Sequence, residues 1–169
     1  MGVKVCKFGG SSLADASQFR KVAEIINADE SRRYVVPSAP GKRTKDDQKV
    51  TDLLYLCHAS AAQNVPFDDT FGRISERFQQ IARDLNLSLD LAPHLDEVKQ
   101  KISSGASADY TASRGEYLNG LIMADLLGHD FIDPATVIHF NANGRFDADT
   151  TQQTMSKTLA QHDRAVVPG

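Results

Sequence analysis

Residues 4–12 read KVCKFGGSS, and residues 32–41 read RRYVVPSAPG. The first lies in an alternating run, Val3 to Phe8, that stops at Gly9-Gly10, the signature of a strand and a turn. The second carries a short continuous apolar run, Tyr34-Val35-Val36, and breaks at Pro37-Ser38-Ala39-Pro40-Gly41, a loop with two prolines and a glycine. Between them Phe19, Val22, Ala23, Ile25 and Ile26 recur at helical spacing, which predicts an amphipathic helix over 15–30. Strand, helix and strand in so short a span form a βαβ unit. Such a unit predicts a parallel sheet covered by helices.

Beyond this unit the spacing predicts helices over 50–63, 71–85, 89–102 and 113–127, the last stopped by Gly128. Pro93 and His94 interrupt the start of the third. Ser113 reads as the N-cap of the fourth, with Glu116 at capping-box spacing. Phe131-Ile132 and Val137-Ile138 are short strand candidates around Asp133-Pro134. Residues 141–150 read as a polar turn, 155–162 as a short helix, and Ala165-Val166-Val167 as a last strand before Pro168-Gly169. No internal repeat, low-complexity tract or linker divides the chain, so the expectation is one α/β domain over 1–169.

The 169 residues are 41% hydrophobic and 24% charged, with a formal net charge of −3, which is ordinary for a soluble globular chain. That balance argues against a nucleic-acid or anionic-membrane partner. The densest basic cluster, Lys42, Arg43 and Lys45, runs straight into Asp46 and Asp47 and reads as a solvated loop. Cys6 and Cys57 both sit in apolar patterns, where free cysteine behaves as a small hydrophobe. Their spacing makes neither a zinc site nor a disulfide scaffold. No apolar run approaches the ~18 residues of a membrane span, and no signal-peptide pattern opens the chain. The expected location is a reducing cytoplasm. The histidines, His58, His94, His129, His139 and His162, stand apart and read as structural or surface residues.

Three stretches have the chemistry of a site. A glycine turn after a parallel strand lets backbone N–H groups approach a ligand closely, and a following helix N-terminus would add partial positive charge. Ser11 and Ser12 add hydroxyls, and Lys7 adds a full positive charge. Together these suit phosphate, although the spacing matches neither the P-loop nor the dinucleotide fingerprint, and a plain turn beside a solvated lysine accounts for it too. Ser38, at the end of the second strand, faces the same crevice in a parallel sheet. Thr51 and Asp52 open the next helix, where Thr51 serves either as an N-cap or with backbone N–H groups as a carboxylate site. Glu116 serves either as the capping-box carboxylate or as a partner for a substrate ammonium group.

Lys7-Phe8-Gly9-Gly10-Ser11-Ser12 resembles the KFGG[ST]S opening of the aspartate kinases, members of the amino-acid kinase family. Ser38-Ala39-Pro40-Gly41 resembles their SA-x-G loop, and Lys49-Val50-Thr51-Asp52-Leu53-Leu54 the start of their next helix. Ser113-Arg114-Gly115-Glu116 resembles their S-x-G-E motif. Asp133 and Gly144-Arg145-Phe146 fit their middle segment. The motifs stand in the family's order over essentially the whole chain.

The resemblance implies a three-layer α/β/α sandwich with a mainly parallel sheet. It implies transfer of a phosphoryl group from ATP, with Mg²⁺, to L-aspartate, giving β-aspartyl phosphate, the first step toward lysine, threonine and methionine. Lys7 would contact the transferring phosphates, and Gly9, Gly10 and Ser11 would line their cradle. Ser38 would lie near the substrate, while Thr51 and Glu116 would bind aspartate, Glu116 meeting its ammonium group. In the family the strand matching Ala165–Val167 is followed by a glycine-rich loop, by a segment with an Arg, a Ser and an Asp, and by ACT regulatory domains. The chain therefore matches the N-terminal part of the catalytic domain. The expectation is an incomplete sandwich, an exposed sheet edge that favours homo-oligomers, and no kinase turnover by these residues alone.

Two other readings stand beside this one. Another amino-acid kinase could act on a different carboxylate or carbamate, although the SRGE segment argues against it. A non-catalytic α/β module could bind a small anion or a partner chain.

Overall fold

The computed structural model describes residues 2–169. Strand β1 spans Lys4–Phe8 and β2 spans Arg32–Pro37, with helix α1, Ala16–Asn27, between them. Then come α2 (Val50–Ala62), α3 (Asp68–Asp84), α4 (Ala92–Ser103) and α5 (Ala108–Leu127). The chain closes with β3 (Asp130–Phe131), α6 (Ala148–Leu159) and β4 (Ala165–Val166). The sheet runs β1-β2-β4-β3, and every pairing is parallel. All the C-terminal strand ends therefore open to one side, where open parallel sheets place their ligands.

Alternation along the strands splits the core into two layers. Val35 and Val166 are fully buried against helices that contribute Phe19, Leu54, Phe78 and Leu118. Their neighbours Tyr34, Ala165 and Val167 point the other way and pack with Ile132, Val137, Met155 and Leu159, the last two from α6. The result is the expected helix–sheet–helix sandwich. Its α6 side does not reach β1, where Val5 is 67% exposed.

Some sequence boundaries move. Val137-Ile138 is not a strand: Pro134 opens a single 3-10 turn, Pro134–Thr136, capped by the Asp133 carboxylate. Its fixed φ suits that first position. Pro93 likewise sits in the first turn of α4 rather than interrupting it. Helix α6 begins seven residues before Met155, at Ala148, because the Asp147 carboxylate caps it by accepting from the Thr150 N–H. Helix α5 begins five residues before Ser113, capped by Ser107, and ends at Gly128 with φ 63°. That early start changes the meaning of the SRGE segment.

Candidate active site

The two glycine loops meet beyond β1 and β2. Phe8 pairs with Pro37 at the strand ends, and the Ser38 N–H donates to the Phe8 carbonyl at 3.0 Å. Gly9 is extended, and Gly10–Leu13 then turns as a 3-10 helix. The Gly41 N–H donates to the Gly10 carbonyl at 2.8 Å. A Cβ on Gly10 would stand 2.7 Å from the Ala39 carbonyl oxygen, and one on Gly41 would stand 2.6 Å from the Gly10 carbonyl carbon. Both obstacles are backbone, so only glycine permits this approach.

The positive end of α1 does not contribute to the turn. Asp15 is its N-cap, and the carboxylate accepts from the Ser17 and Gln18 N–H groups. The cation left at the cradle is Lys7, whose exposed side chain makes no ion pair among the described residues.

Glu116 lies in the middle of α5, not near its N-terminus. Ser113 is not a cap either, since its hydroxyl donates to the Tyr110 carbonyl at 2.7 Å within the helix. The capping-box reading is thereby corrected, and the carboxylate is left without a local structural task. Burial pushes its carboxyl above the ordinary glutamate range, and the Glu116 and Ala39 backbone N–H groups, Arg114 and Lys7 pull it partly back. The residue thus joins α5 electrostatically to the β2 loop and to the end of β1. Gly115 makes the approach possible, because a Cβ there would stand 2.8 Å from the Ala39 Cβ. One turn further on, the buried Asn119 donates from Nδ2 to the Ser38 carbonyl at 2.7 Å.

Thr51 lies in the first turn of α2 and is not its N-cap, a position held by Lys49. The neighbouring Val50 N–H donates to the Pro40 carbonyl at 3.4 Å, so Thr51 starts beside the same loop. Lys7, Gly9, Gly10, Ser11, Ser38, Thr51 and Glu116 are therefore carried by segments that converge on one end of the sheet.

A cavity of about 230 Å³ opens beside Glu116, lined by Arg114 and Tyr117 and walled by Ile138, Phe140 and Pro168. The Arg114 guanidinium lies over the Tyr110 and Tyr117 rings, 4.4 and 4.7 Å from their centroids. A larger cavity of about 670 Å³ lies between residues 43–47 and α3, and none of the predicted site residues lines it.

The histidines do not gather. His94 meets the Tyr117 hydroxyl, His139 the Thr154 hydroxyl and His162 the Asp130 carboxylate. His129 is buried, and burial pushes its pKa below the usual value. Among the described residues no group of three or more His, Cys, Asp or Glu side chains is placed to hold a metal ion. No described helix is long and apolar enough to cross a membrane.

A model of the amino acid kinase family matches residues 2–169, essentially the whole chain. The chain belongs to the amino acid kinase family. It is 44% identical over 85 residues to aspartokinase 3 of Bacillus subtilis, a match covering 50% of this chain and 19% of that protein. It is 33% identical over 102 residues to an aspartokinase of Chlamydia muridarum, covering 60% of this chain and 21% of that one. The matched segments thus span about a fifth of the length of these curated relatives. The crystal structure of Clostridium acetobutylicum aspartate kinase superposes with a TM-score of 0.97 at 50% identity, covering 100% of this chain and 39% of that one. Aspartokinase III of Escherichia coli, solved with aspartate and ADP, shares the fold with a TM-score of 0.76 at 19% identity, covering 99% of this chain and 40% of that one.

This amino acid kinase chain also uses residues that its motifs do not announce. Arg77, on α3, is 7% exposed. Its Nη1 donates to the Asp47 carboxylate at 2.7 Å, and its Nη2 donates to the Gly41 carbonyl at 2.6 Å and the Ala14 carbonyl at 3.0 Å. Asp47 also accepts from Arg43 at 2.8 Å. The expected solvated run is therefore half right: Lys42 and Lys45 are exposed, while Asp47 is an anchor. The signal was a lone arginine on the apolar stripe of α3, between Ile74 and Phe78.

Proposed function

We propose that this chain forms the substrate half of an aspartate kinase site, in which a phosphoryl group passes from ATP to the side-chain carboxylate of L-aspartate. The observation that carries the reading is the meeting of interlocked glycine backbones with a half-buried carboxylate, Glu116, that no cap or ion pair explains. The aspartokinases it resembles, one of them solved with aspartate and ADP, support the same assignment.

In this proposal Gly9, Gly10 and Ser11 offer backbone N–H groups and a hydroxyl to phosphate oxygens, and Lys7 neutralises charge on the group in transit. Gly9, where a Cβ would meet nothing within 4 Å, leaves its backbone open to close approach of a phosphate oxygen, while Gly10 and Gly41 lock the two loops behind it. Glu116 accepts the ammonium group of aspartate. Ser38 and Thr51 hold its carboxylate end. Mg²⁺ would arrive with the nucleotide, bound largely by phosphate oxygens and water, and would supply charge neutralisation. What these residues contribute is placement of two anions in line.

Calorimetry with L-aspartate tests the reading. Binding by the chain, lost in Glu116→Ala and retained with L-aspartate over L-glutamate, is the expected result. Equal heats for wild type and Glu116→Ala would remove Glu116 from the site. Binding of another amino acid in preference to aspartate would move the chain to another branch of the family.

A further inference from the structure

The inner face of α3 is apolar apart from one residue. Phe71, Ile74, Phe78 and Ile81 pack in the core, and Arg77 sits among them. Burying a guanidinium is costly, and a hydrophobic side chain of similar volume often stabilises such a site better. The stability of α3 therefore gives little reason for an arginine. Its Nε is buried without a partner, so even its own satisfaction is incomplete. Its destinations supply the reason. One bond goes to Ala14, which follows the 3-10 turn of the first glycine loop, and one to Gly41, in the second. The third goes to Asp47, which Arg43 holds from outside.

We propose that Arg77 is a positioning residue for the glycine cradle, fixing from behind the relative placement of Gly10 and Gly41. A planar fork can bond two carbonyls and a carboxylate at fixed angles, which an ammonium cannot do. Arg77 draws Gly41 into the place where its N–H reaches the Gly10 carbonyl, and holds Ala14 so that the turn cannot swing away. The cradle is thus set before any ligand arrives. The inference rests on the reading of Gly9–Ser11 as a phosphate cradle for its functional meaning, but not for its geometry.

Amide hydrogen exchange by NMR on the 169-residue chain tests it. Arg77→Met and Arg77→Lys are compared with wild type and with Ile102→Val, a core change in α4, a helix that makes none of the hydrogen bonds of the two loops. Local opening raises exchange only where the broken contact acts. Both Arg77 variants are expected to speed exchange at the Gly41 amide about tenfold or more beyond any change in the β1–β2 ladder. The Gly10 and Ser11 amide shifts should move as well, while Ile102→Val leaves them in place. Should Arg77→Met not fold, Arg77→Lys, which keeps charge and most of the volume, decides alone. Unchanged Gly41 protection, or loosening at Gly41 no greater than in the β1–β2 ladder, would overturn the proposal.

Titration with inorganic tripolyphosphate separates the two claims. Wild-type Gly9–Ser12 amides should respond, and binding by the variants should weaken about tenfold through lost preorganisation. Equal tripolyphosphate affinity in wild type and variants would refute a positioning role in binding. Silence in wild type would refute the cradle reading, and the exchange result would still judge Arg77.

Discussion

Gly41 donates its amide to the Gly10 carbonyl at 2.8 Å, with Gly10 in the loop after β1 and Gly41 in the loop after β2. Two loops far apart in sequence thereby become one backbone surface, and neither position has room for a side chain. Gly41→Ala should cost about 1–3 kcal/mol by overpacking, since the obstructing atoms are backbone and cannot rotate away. Gly72→Ala, where a Cβ would meet nothing within 4 Å, should be neutral or slightly stabilising by helix propensity. Urea denaturation of both variants checks the contrast, and equal stabilities would show that the loops do not interlock.

Burial raises the Glu116 carboxyl above its ordinary value of 4.5. The folded chain then holds that proton to higher pH than the unfolded chain, so stability falls as pH rises from the unfolded value through the folded one. Below that window the penalty is absent, and above it the penalty is complete. Glu116→Gln should therefore gain more stability relative to wild type at pH 7 than at pH 4. The same variant should weaken aspartate binding by about tenfold or more, because a charge-assisted hydrogen bond contributes about 1.5–3 kcal/mol. Thermal melts at the two pH values and one calorimetric titration read both effects.

Helix α5 offers a test of which serine begins it. Ser107 accepts from the Tyr110 N–H at 3.1 Å, and Ser107→Ala should cost about 0.5–2 kcal/mol. Ser113, inside the helix, should cost less when replaced by Ala, since its hydroxyl only bonds back to Tyr110 and to Arg114. Equal losses would restore Ser113 to a capping role.

The error over Ser113 shows how far one sequence can be read. Helices α1, α2 and α3 were legible because their buried residues keep strict three- and four-residue spacing. The start of helix α5 was not, because its first turns, Ala108 to Ala112, carry small and polar residues and Thr111 is its one buried residue there. The S-x-x-E spacing that mimics a capping box falls inside the helix by coincidence of period. The glycine loops were legible as turns, but their mutual contact was not, since no local pattern encodes a distance across the sheet. Arg77 was hidden for a similar reason. A helical arginine is ordinarily solvated, and only the fold shows that two carbonyls and Asp47 await it.

Asp47 carries the charge that makes Arg77 tolerable. The Arg43 hydrogen bond holds its carboxyl well below the usual range, and Arg77 adds to this. A depressed folded value means that the stabilisation is present above the unfolded value of 3.8 and fades as pH falls below it. Asp47→Ala leaves a buried guanidinium without its counter-ion and should cost about 3–5 kcal/mol at neutral pH. Arg43→Ala removes only the outer, half-exposed partner, and should cost about 1 kcal/mol or less. Chemical denaturation at pH 7 and at a pH below the unfolded value of 3.8 should show the Asp47→Ala deficit shrinking in acid. A deficit unchanged by pH would mean that packing, not the ion pair, explains the loss.

The two cysteines should differ sharply toward thiol reagents. Cys6 is half-buried on β1, whereas Cys57 on α2 is fully buried in the main core. Burial pushes the Cys57 thiol up to about 11, and only the thiolate reacts. An aromatic disulfide reagent at pH 8 should therefore label Cys6 first, and label Cys57 only as fast as the core opens. Urea below the unfolding midpoint should accelerate Cys57 and leave Cys6 almost unchanged, since only Cys57 waits on an opening step. Mass mapping of the first-labelled peptide decides the order. Cys57 reacting first would mean that α2 opens the core faster than the reagent reaches the half-buried Cys6.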